Sequence, residues 1–165
     1  MTVLVTIQPG SRTREASLIR LLEEMDSEFN PPLSSRTSLA DYIAKLLKFG
    51  RVVAVCENED IVGMAGFYCN DLESRTGFFS ILAVKASFRK LGLGKTLVEA
   101  VLRTAYEAGM KRVRLETSAH AVAFAFHERM GFHRVGVARS RPGGSGVIME
   151  YAFAGNPFAP KESDE

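Results

Sequence analysis

Cysteine is scarce in this sequence, and the two cysteines stand apart. Cys56 and Cys69 lie in separate apolar segments, without the close Cys or His spacing of a zinc site. The chain also lacks a recognisable secretory leader that would favour a disulfide. We therefore expect two buried thiols and no metal centre built on cysteine.

Strong net charge and long hydrophobic runs are also absent. The formal net charge is +2, too small for the extended positive field that a nucleic-acid backbone favours. No window reaches the roughly 18 apolar residues of a membrane span, and the opening MTVLVTIQPG has no basic leader segment. We expect a soluble, cytoplasmic protein with neither a nucleic-acid nor a membrane partner.

Length and composition favour one domain. The chain has 165 residues, of which 46% are hydrophobic and 24% charged, as in ordinary globular domains, and it shows no internal repeats. From Gly155 onward, GNPFAPKESDE has the proline and charge content of a loose tail. We predict one domain over residues 1–154 and a tail over 155–165, and we leave a monomer and a homodimer open.

Apolar periodicity in the first half predicts two helices between strands. The run Thr2 to Gln8 predicts a strand, and helices open at Ser11 and Ser38, the first continuing to about Asn30. Three apolar runs of strand length then follow, with short polar breaks between them: residues 51–56, 61–69 and 77–84. Three such strands in succession predict an antiparallel meander.

The second half predicts a crossover at the centre of the sheet. A long amphipathic helix ends at Gly109, and VRLET predicts a strand at 113–117. A strand, a helix and a further strand imply a parallel strand pair. A helix over 119–130 with Gly131 as its cap follows, and then two strands, near Val135 and at 147–153, flank the loop SRPGGSG.

The segment RKLGLGKT, Arg89 to Thr96, opens the long helix and does not fit either common phosphate motif. A P-loop needs glycine where Arg89 stands, and a dinucleotide fingerprint needs a small residue where Leu97 stands. What remains is R-x-x-G-x-G at a helix N-terminus, where exposed N–H groups bind anions. The two glycines would also suit a plain tight turn.

The order of elements and two sequence blocks resemble the GCN5-related N-acetyltransferase (GNAT) superfamily. ILAVKASFRKLGLGKTLVEAVL is similar to its acetyl-CoA motif, and LETSAHAVAFAFHERMGF to its next strand, helix and Gly-Phe ending. The resemblance covers nearly the whole chain. It implies an α/β (α+β) fold with a mixed, mostly antiparallel central sheet, helices on both faces, and a splayed parallel strand pair that binds acetyl-CoA.

The resemblance also implies how acetyl-CoA, or coenzyme A, would be held. The loop would wrap the pyrophosphate without a metal, and the fourth strand would pair with the pantetheine amides. The cofactor-binding residues implied in this way are Leu82, Ala83, Val84, Arg89, Lys90, Leu91, Gly92, Leu93, Gly94, Lys95, Thr96, His120 and His127.

Two catalytic residues are implied, and one departs from the family pattern. The N–H of Val84 would polarise the thioester oxygen. His127 stands where many members have a tyrosine that protonates the departing thiolate, and His120 stands where an asparagine is common. A histidine N–H can donate to a thiolate, but His127 could equally serve only to pack the site.

A metal and a general base are harder to support. HERMG begins like the zinc signature H-E-x-x-H but ends in Gly131, and His120 and His127 lie about 10 Å apart along a helix. We expect no metal. The fourth strand lacks the carboxylate that some members use as a base. The remaining candidates are Asp71, Glu73 and Glu116, each of which is more simply a solvated surface group.

The leading hypothesis is an acetyl-CoA-dependent N-acetyltransferase, an acyltransferase that acts on a primary amine of a small molecule by direct attack on the thioester. The alternative is a non-catalytic acyl-CoA sensor or interaction module on the same fold. Acidic residues of the first helix and basic residues of the last loop would suit a small zwitterion, although all could be ordinary surface charges. They are Glu23, Glu24, Asp26, Glu28, Arg139 and Arg141.

Overall fold

The chain folds around one mixed sheet, as the computed structural model shows for residues 1–29, 31–118, 121–138 and 146–160. The helices are α1 Arg12–Met25, α2 Leu39–Phe49, α3 Leu93–Glu107 and α4 Ala121–Arg129. The strands are β1 Thr2–Ile7, β2 Arg51–Glu57, β3 Asp60–Tyr68, β4 Thr76–Val84, β5 Arg112–Ser118, β6 His133–Ala138 and β7 Gly146–Ala152. Short 3₁₀ turns cover Asp26–Glu28, Leu33–Ser35 and Ala86–Phe88.

The seven strands are ordered β1-β2-β3-β4-β5-β7-β6. Strands β2, β3 and β4 form the predicted antiparallel meander, and β4 and β5 are parallel. The crossover through α3 is thus confirmed. The predicted mixed, mostly antiparallel sheet is confirmed with it.

Helices cover both faces of the sheet and divide the core in two. Leu97, Val101 and Leu102 of α3 pack with Phe79 and Phe132 on one face. On the other face the apolar stripes of α1 and α2 pack against β2, β3 and β4, with Ile81 and Ala83 among the buried residues. Burial of these two stripes, rather than helix propensity, holds the helices in place.

Serine caps begin both early helices, as predicted. The hydroxyl of Ser11 accepts from the N–H of Arg14 at 3.4 Å, and that of Ser38 accepts from Asp41 at 3.0 Å. The predicted extent of α1 was wrong, because the helix ends at Met25 rather than near Asn30. Asp26 instead accepts from the N–H of Ser34 at 2.9 Å, as well as from its hydroxyl, and so holds the turn that leads to α2.

Two further expectations are modified. Cys56 is buried as expected, but Cys69 is only half-buried. The tail was expected to be loose from Gly155, yet Phe158 lies with its ring centroid 6.1 Å from that of Tyr106 and 4.6 Å from the guanidinium carbon of Arg103. The described part of the tail is therefore anchored on α3.

None of the helices among the described residues is long and apolar enough to cross a membrane.

Candidate active site

The parallel strands β4 and β5 part half-way along their length. Their pairing runs from Thr76 and Arg112 to Phe79 and Leu115 and then stops, while β4 continues to Val84 and β5 to Ser118. Beyond that point β4 stays paired with β3, and β5 with β7. A wedge therefore opens between residues 80–84 and residues 116–118, and the predicted splay is present.

A β-bulge in β4 lies at the start of the wedge. Gly66 of β3 pairs with Ile81 and Phe67 pairs with Phe79, so Ser80 is the extra residue. Phe79 consequently faces the core under α3, whereas Ile81 faces the core under α1 and α2. A bulge bends its strand and increases the local twist, which accounts for the separation of β4 from β5 at this level.

The backbone of β4 directs polar groups into the wedge. The N–H of Lys85 donates to the carbonyl of Val62 on β3 at 2.8 Å. Because N–H groups alternate along a strand, those of Leu82 and Val84 point the other way, toward the wedge. Ala83 differs, since it pairs with Met64 and its methyl group is buried. The N–H of Val84, predicted to polarise the thioester oxygen, thus points into the wedge.

The loop after β4 carries the predicted glycines into the first turn of α3. Lys90 and Gly92 have φ of +63° and +79°, and the first helical bond runs from the N–H of Thr96 to the carbonyl of Gly92 at 3.1 Å. Helix geometry leaves the N–H groups of Leu93, Gly94 and Lys95 without intrahelical acceptors. Leu91 is 66% exposed at the tip. The result is a row of outward N–H groups beside the wedge.

Glycine is needed at residues 92 and 94 for different structural reasons. A Cβ added at Gly92 would meet nothing within 4 Å, so the left-handed backbone alone requires glycine there. A Cβ at Gly94 would lie 3.3 Å from the ring of Phe126 on α4. Gly94 therefore lets α4 pack closely against the start of α3, a reason that the motif did not predict.

Two cationic side chains of the segment, those of Arg89 and Lys95, lie beside carboxylates. The guanidinium of Arg89 lies 2.7 Å from Glu28, and its Nε donates to the carbonyl of Val84 at 3.1 Å. Lys95 lies 3.9 Å from Glu99 on the exposed face of α3. The hydroxyl of Thr96 donates to the carbonyl of Gly92 at 3.1 Å.

The acidic residues expected to line an acceptor cleft are largely used within the chain. Glu28 pairs with Arg89, Glu24 lies 3.7 Å from Lys85, and Asp26 binds Ser34. Glu23 is exposed. The basic partners Arg139 and Arg141 lie outside the described residues, and so does His120. Two of these four acidic residues, Glu24 and Glu28, therefore form ion pairs with Lys85 and Arg89 on the segment after β4.

His127 lies at the apex of the wedge, among aromatic rings. Its ring centroid is 6.4 Å from that of Phe79, the last paired residue of β4, 5.2 Å from Phe126 and 5.8 Å from Phe132. Burial lowers the pKa of His127 to about 4, so the ring is neutral at pH 7. Within the described part of the chain, its buried Nδ1 atom has no hydrogen-bond partner.

The three candidate bases differ in position. Asp71 accepts from the N–H and the hydroxyl of Ser74 at 3.0 and 2.6 Å, and these bonds lower its pKa while fixing the turn before β4. Glu73 lies in the same exposed turn. Glu116 lies on β5 beyond its last pair with β4. Because Val113 and Leu115 face the α3 core, alternation places Glu116 on the opposite face, toward α1 and α2.

The wedge and the glycine loop lie in a segment that matches a known protein family. Residues 17–132 match the acetyltransferase (GNAT) family, a span that includes β4, the glycine loop and α4. The chain belongs to the GNAT acetyltransferase family. Enzymes of this family transfer acetyl groups and use acetyl-CoA. No curated protein matches the sequence at a significant level.

Solved structures share the fold of this GNAT protein at low sequence identity. An aminoglycoside 6'-acetyltransferase type Ii is 19% identical with a TM-score of 0.79, over 94% of this chain and 99% of that one. The ribosomal-protein-S18-alanine N-acetyltransferase from Escherichia coli is 18% identical with a TM-score of 0.73, over 96% and 99%. A chain of the NatC complex, solved with a Gag peptide and CoA, is 19% identical with a TM-score of 0.72, over 93% and 99%.

These matches support the expected family, fold and reaction, but not the expected role of each residue. They establish the family and the fold, and acetyl transfer follows from the family. The individual roles of Val84, the loop residues and His127 stay predictions. Among the residues that the structure describes, no group of three or more His, Cys, Asp or Glu side chains could hold a metal ion.

Proposed function

We propose that this GNAT protein transfers the acetyl group of acetyl-CoA to a primary amine of a small molecule. The observation that carries the proposal is the combination of the wedge between β4 and β5 with the glycine loop at its mouth. The wedge offers strand N–H groups for amides, and the loop offers helical N–H groups for phosphates. The residues present therefore fit coenzyme A.

Acetyl-CoA would supply the acetyl group as an activated thioester. The N–H groups of Leu93, Gly94 and Lys95 would hold the pyrophosphate, and the wedge-facing N–H of Leu82 would hold the pantetheine arm. The N–H of Val84 would donate to the thioester oxygen as negative charge develops there during attack. Arg89 would act mainly on the loop itself, since Glu28 and the Val84 carbonyl already bind its guanidinium.

The amine nitrogen would form its bond to the carbonyl carbon while the carbon–sulfur bond breaks. The leaving sulfur takes a proton, and the new amide loses one. His127 would stabilise the leaving thiolate with a hydrogen bond from its ring N–H, which is neutral at pH 7, and the thiolate would take its proton from solvent. For removal of the proton from the nitrogen, the candidate base is Glu116, which lies on β5 beyond its last pair with β4 and on the face of the sheet opposite α3.

The acceptor is proposed to be small because α2 lies against β4 beside the wedge. Tyr42 of α2 and Ser80 of β4 are joined at 2.5 Å between their hydroxyl oxygens, so α2 meets β4 at the start of the wedge. Two of the three similar structures are named for acceptors, an aminoglycoside and an alanine of a ribosomal protein. A peptide acceptor is therefore the alternative for the test to separate.

The proposal is tested by thiol release from acetyl-CoA across a panel of small amines and short peptides, with mass spectrometry of the products. We expect release that depends on a small primary amine, with the acetyl group on nitrogen. Release with peptides alone would contradict the choice of acceptor. Tight CoA binding without turnover on any amine would favour the non-catalytic sensor.

A further inference from the structure

Ser80 occupies a special position in the sheet. It is the extra residue of the β4 bulge, and it immediately follows Phe79, the last residue of β4 that pairs with β5. Ser80 is therefore the first residue of β4 inside the wedge. Its side chain is half-buried and points toward α2, because it meets Tyr42. His127 lies across the sheet, against Phe79.

Tyr42 holds the hydroxyl of Ser80 in a fixed place. The two oxygens are 2.5 Å apart. Burial raises the pKa of Tyr42 to about 12, although the bond to Ser80 opposes the rise. The phenol is therefore neutral across the physiological range, and the pair carries no charge.

The Ser80 hydroxyl retains bonding capacity after it binds Tyr42. A serine hydroxyl has one donor and two acceptor positions. If Tyr42 donates, one lone pair of Ser80 and its own proton stay free. If Ser80 donates, both lone pairs stay free. In either arrangement Oγ can accept a hydrogen bond from an N–H group in the wedge.

We propose that Ser80 positions the acceptor amine, with its Oγ accepting a hydrogen bond from the amine N–H, and that Tyr42 is a positioning residue that fixes Oγ. This inference rests on the proposed amine acetylation and adds the acceptor contact to it. A neutral hydroxyl pair orients the nitrogen without removing its proton, in a strand that carries no carboxylate between Thr76 and Val84.

The proposal predicts a specific split in kinetic constants. An interaction made equally in the ground state and the transition state changes KM and leaves kcat alone. For one accepted amine, Ser80→Ala should raise the amine KM about fivefold, the effect of one lost hydrogen bond, with kcat within about twofold. Tyr42→Phe should raise it about threefold, and the double variant should match Ser80→Ala because both changes disable one contact.

Two controls separate positioning from a structural role. Ser80→Thr keeps the hydroxyl and should restore most of the amine affinity, while Tyr68→Phe removes a hydroxyl from the neighbouring strand and should leave the amine KM unchanged. If the pair only tethers α2 to β4, its loss should lower the melting temperature of Ser80→Ala and Tyr42→Phe, and the amine KM should be unchanged in every variant. The Kd for CoA should stay constant throughout.

The outcome separates this inference from the proposed function. Wild-type turnover on an amine, with an unchanged amine KM in both Ser80→Ala and Tyr42→Phe, would overturn the role of the pair and leave acetyl transfer intact. Absence of amine turnover in the wild-type protein would overturn the proposed function, and this inference with it. Should Ser80→Ala fail to fold, Tyr42→Phe still decides, since it keeps the aromatic ring in place.

Discussion

The Nη2 atom of Arg89 lies 2.7 Å from Oε1 of Glu28, which joins the glycine loop to the turn after α1. Both side chains are partly exposed, so the pair itself adds little stability. Its effect should fall on ligand binding, because Glu28 places negative charge beside a loop suited to phosphates. We predict that Glu28→Gln tightens CoA binding about threefold at low ionic strength, with the gain fading as salt rises.

Calorimetric titration of CoA at two salt concentrations measures this effect. Glu107→Gln is the matched control, since it makes the same charge change at the far end of α3, about 20 Å from the loop. An equal increase in CoA affinity in the two variants would show that the effect comes from the net charge of the protein and not from the position of Glu28. Weaker binding in Glu28→Gln would show that the ion pair holds the loop in its binding shape.

Gly92 is predicted to be needed for both the turn and the ligand. Its φ is +79° and open space surrounds its Cα, so valine would strain the backbone and place a side chain among the outward N–H groups. Gly92→Val should weaken CoA binding at least about tenfold. Gly109→Val is the control, because Gly109 has φ of +86° and equally open surroundings at the other end of α3.

Thermal unfolding with and without CoA distinguishes the two variants. Both should lose stability to the same strain, and only Gly109→Val should keep the full shift on adding CoA. Normal CoA binding by Gly92→Val would make the loop a plain turn.

His127 is predicted to donate to the leaving thiolate. Because His127→Ala removes this N–H donor, it should lower kcat about 10²-fold, with little change in the KM for acetyl-CoA. His127→Tyr restores the usual family residue and should recover part of the loss. Steady-state kinetics on one accepted amine measures both constants. A packing role predicts the opposite result, with a raised KM for acetyl-CoA and a nearly unchanged kcat.

Burial of His127 also predicts a pH dependence of stability. Its pKa is lowered from 6.5 to about 4 in the folded state, so the unfolded chain binds more protons between these values. The stability linked to a neutral His127 is present above pH 6.5 and is lost as the pH falls toward 4. Relative to His127→Gln, the wild-type free energy of unfolding should be constant above pH 7 and drop by about 3 kcal/mol by pH 4.

Urea unfolding of the two proteins across this pH range tests the point. The variant has no titrating group at residue 127, so other groups cancel in the difference. A difference that does not vary with pH would show that His127 has an ordinary pKa and is not buried as described.

Local patterns predicted much of this fold, because its caps and strands depend on neighbours in sequence. Ser11 and Ser38 cap their helices, and the β4–α3–β5 order predicted the parallel pair. The end of α1 was missed because Asp26 is bound by Ser34, a residue beyond the Pro-Pro break. No local signal marks Ser80 as a bulge, since the bulge exists only against Gly66 and Phe67 of β3.

In the site, too, some features follow from the local sequence and others from tertiary packing. The motif placed the glycines and His127, but the partner of Arg89 is on the turn after α1, and the rings around His127 come from β4, α4 and the segment before β6. These contacts depend on how the elements pack. The low pKa of His127 follows from that packing and could not be predicted from its sequence neighbours.

The central claim is that the wedge and the glycine loop hold coenzyme A through backbone N–H groups. Thermal unfolding in the presence of EDTA, with CoA, acetyl-CoA or ATP at equal concentration, tests it most directly. The account predicts that CoA and acetyl-CoA raise the melting temperature without magnesium and that ATP competes weakly. In a parallel run with magnesium and no EDTA, stabilisation by ATP, with none from CoA or acetyl-CoA in either run, would contradict it.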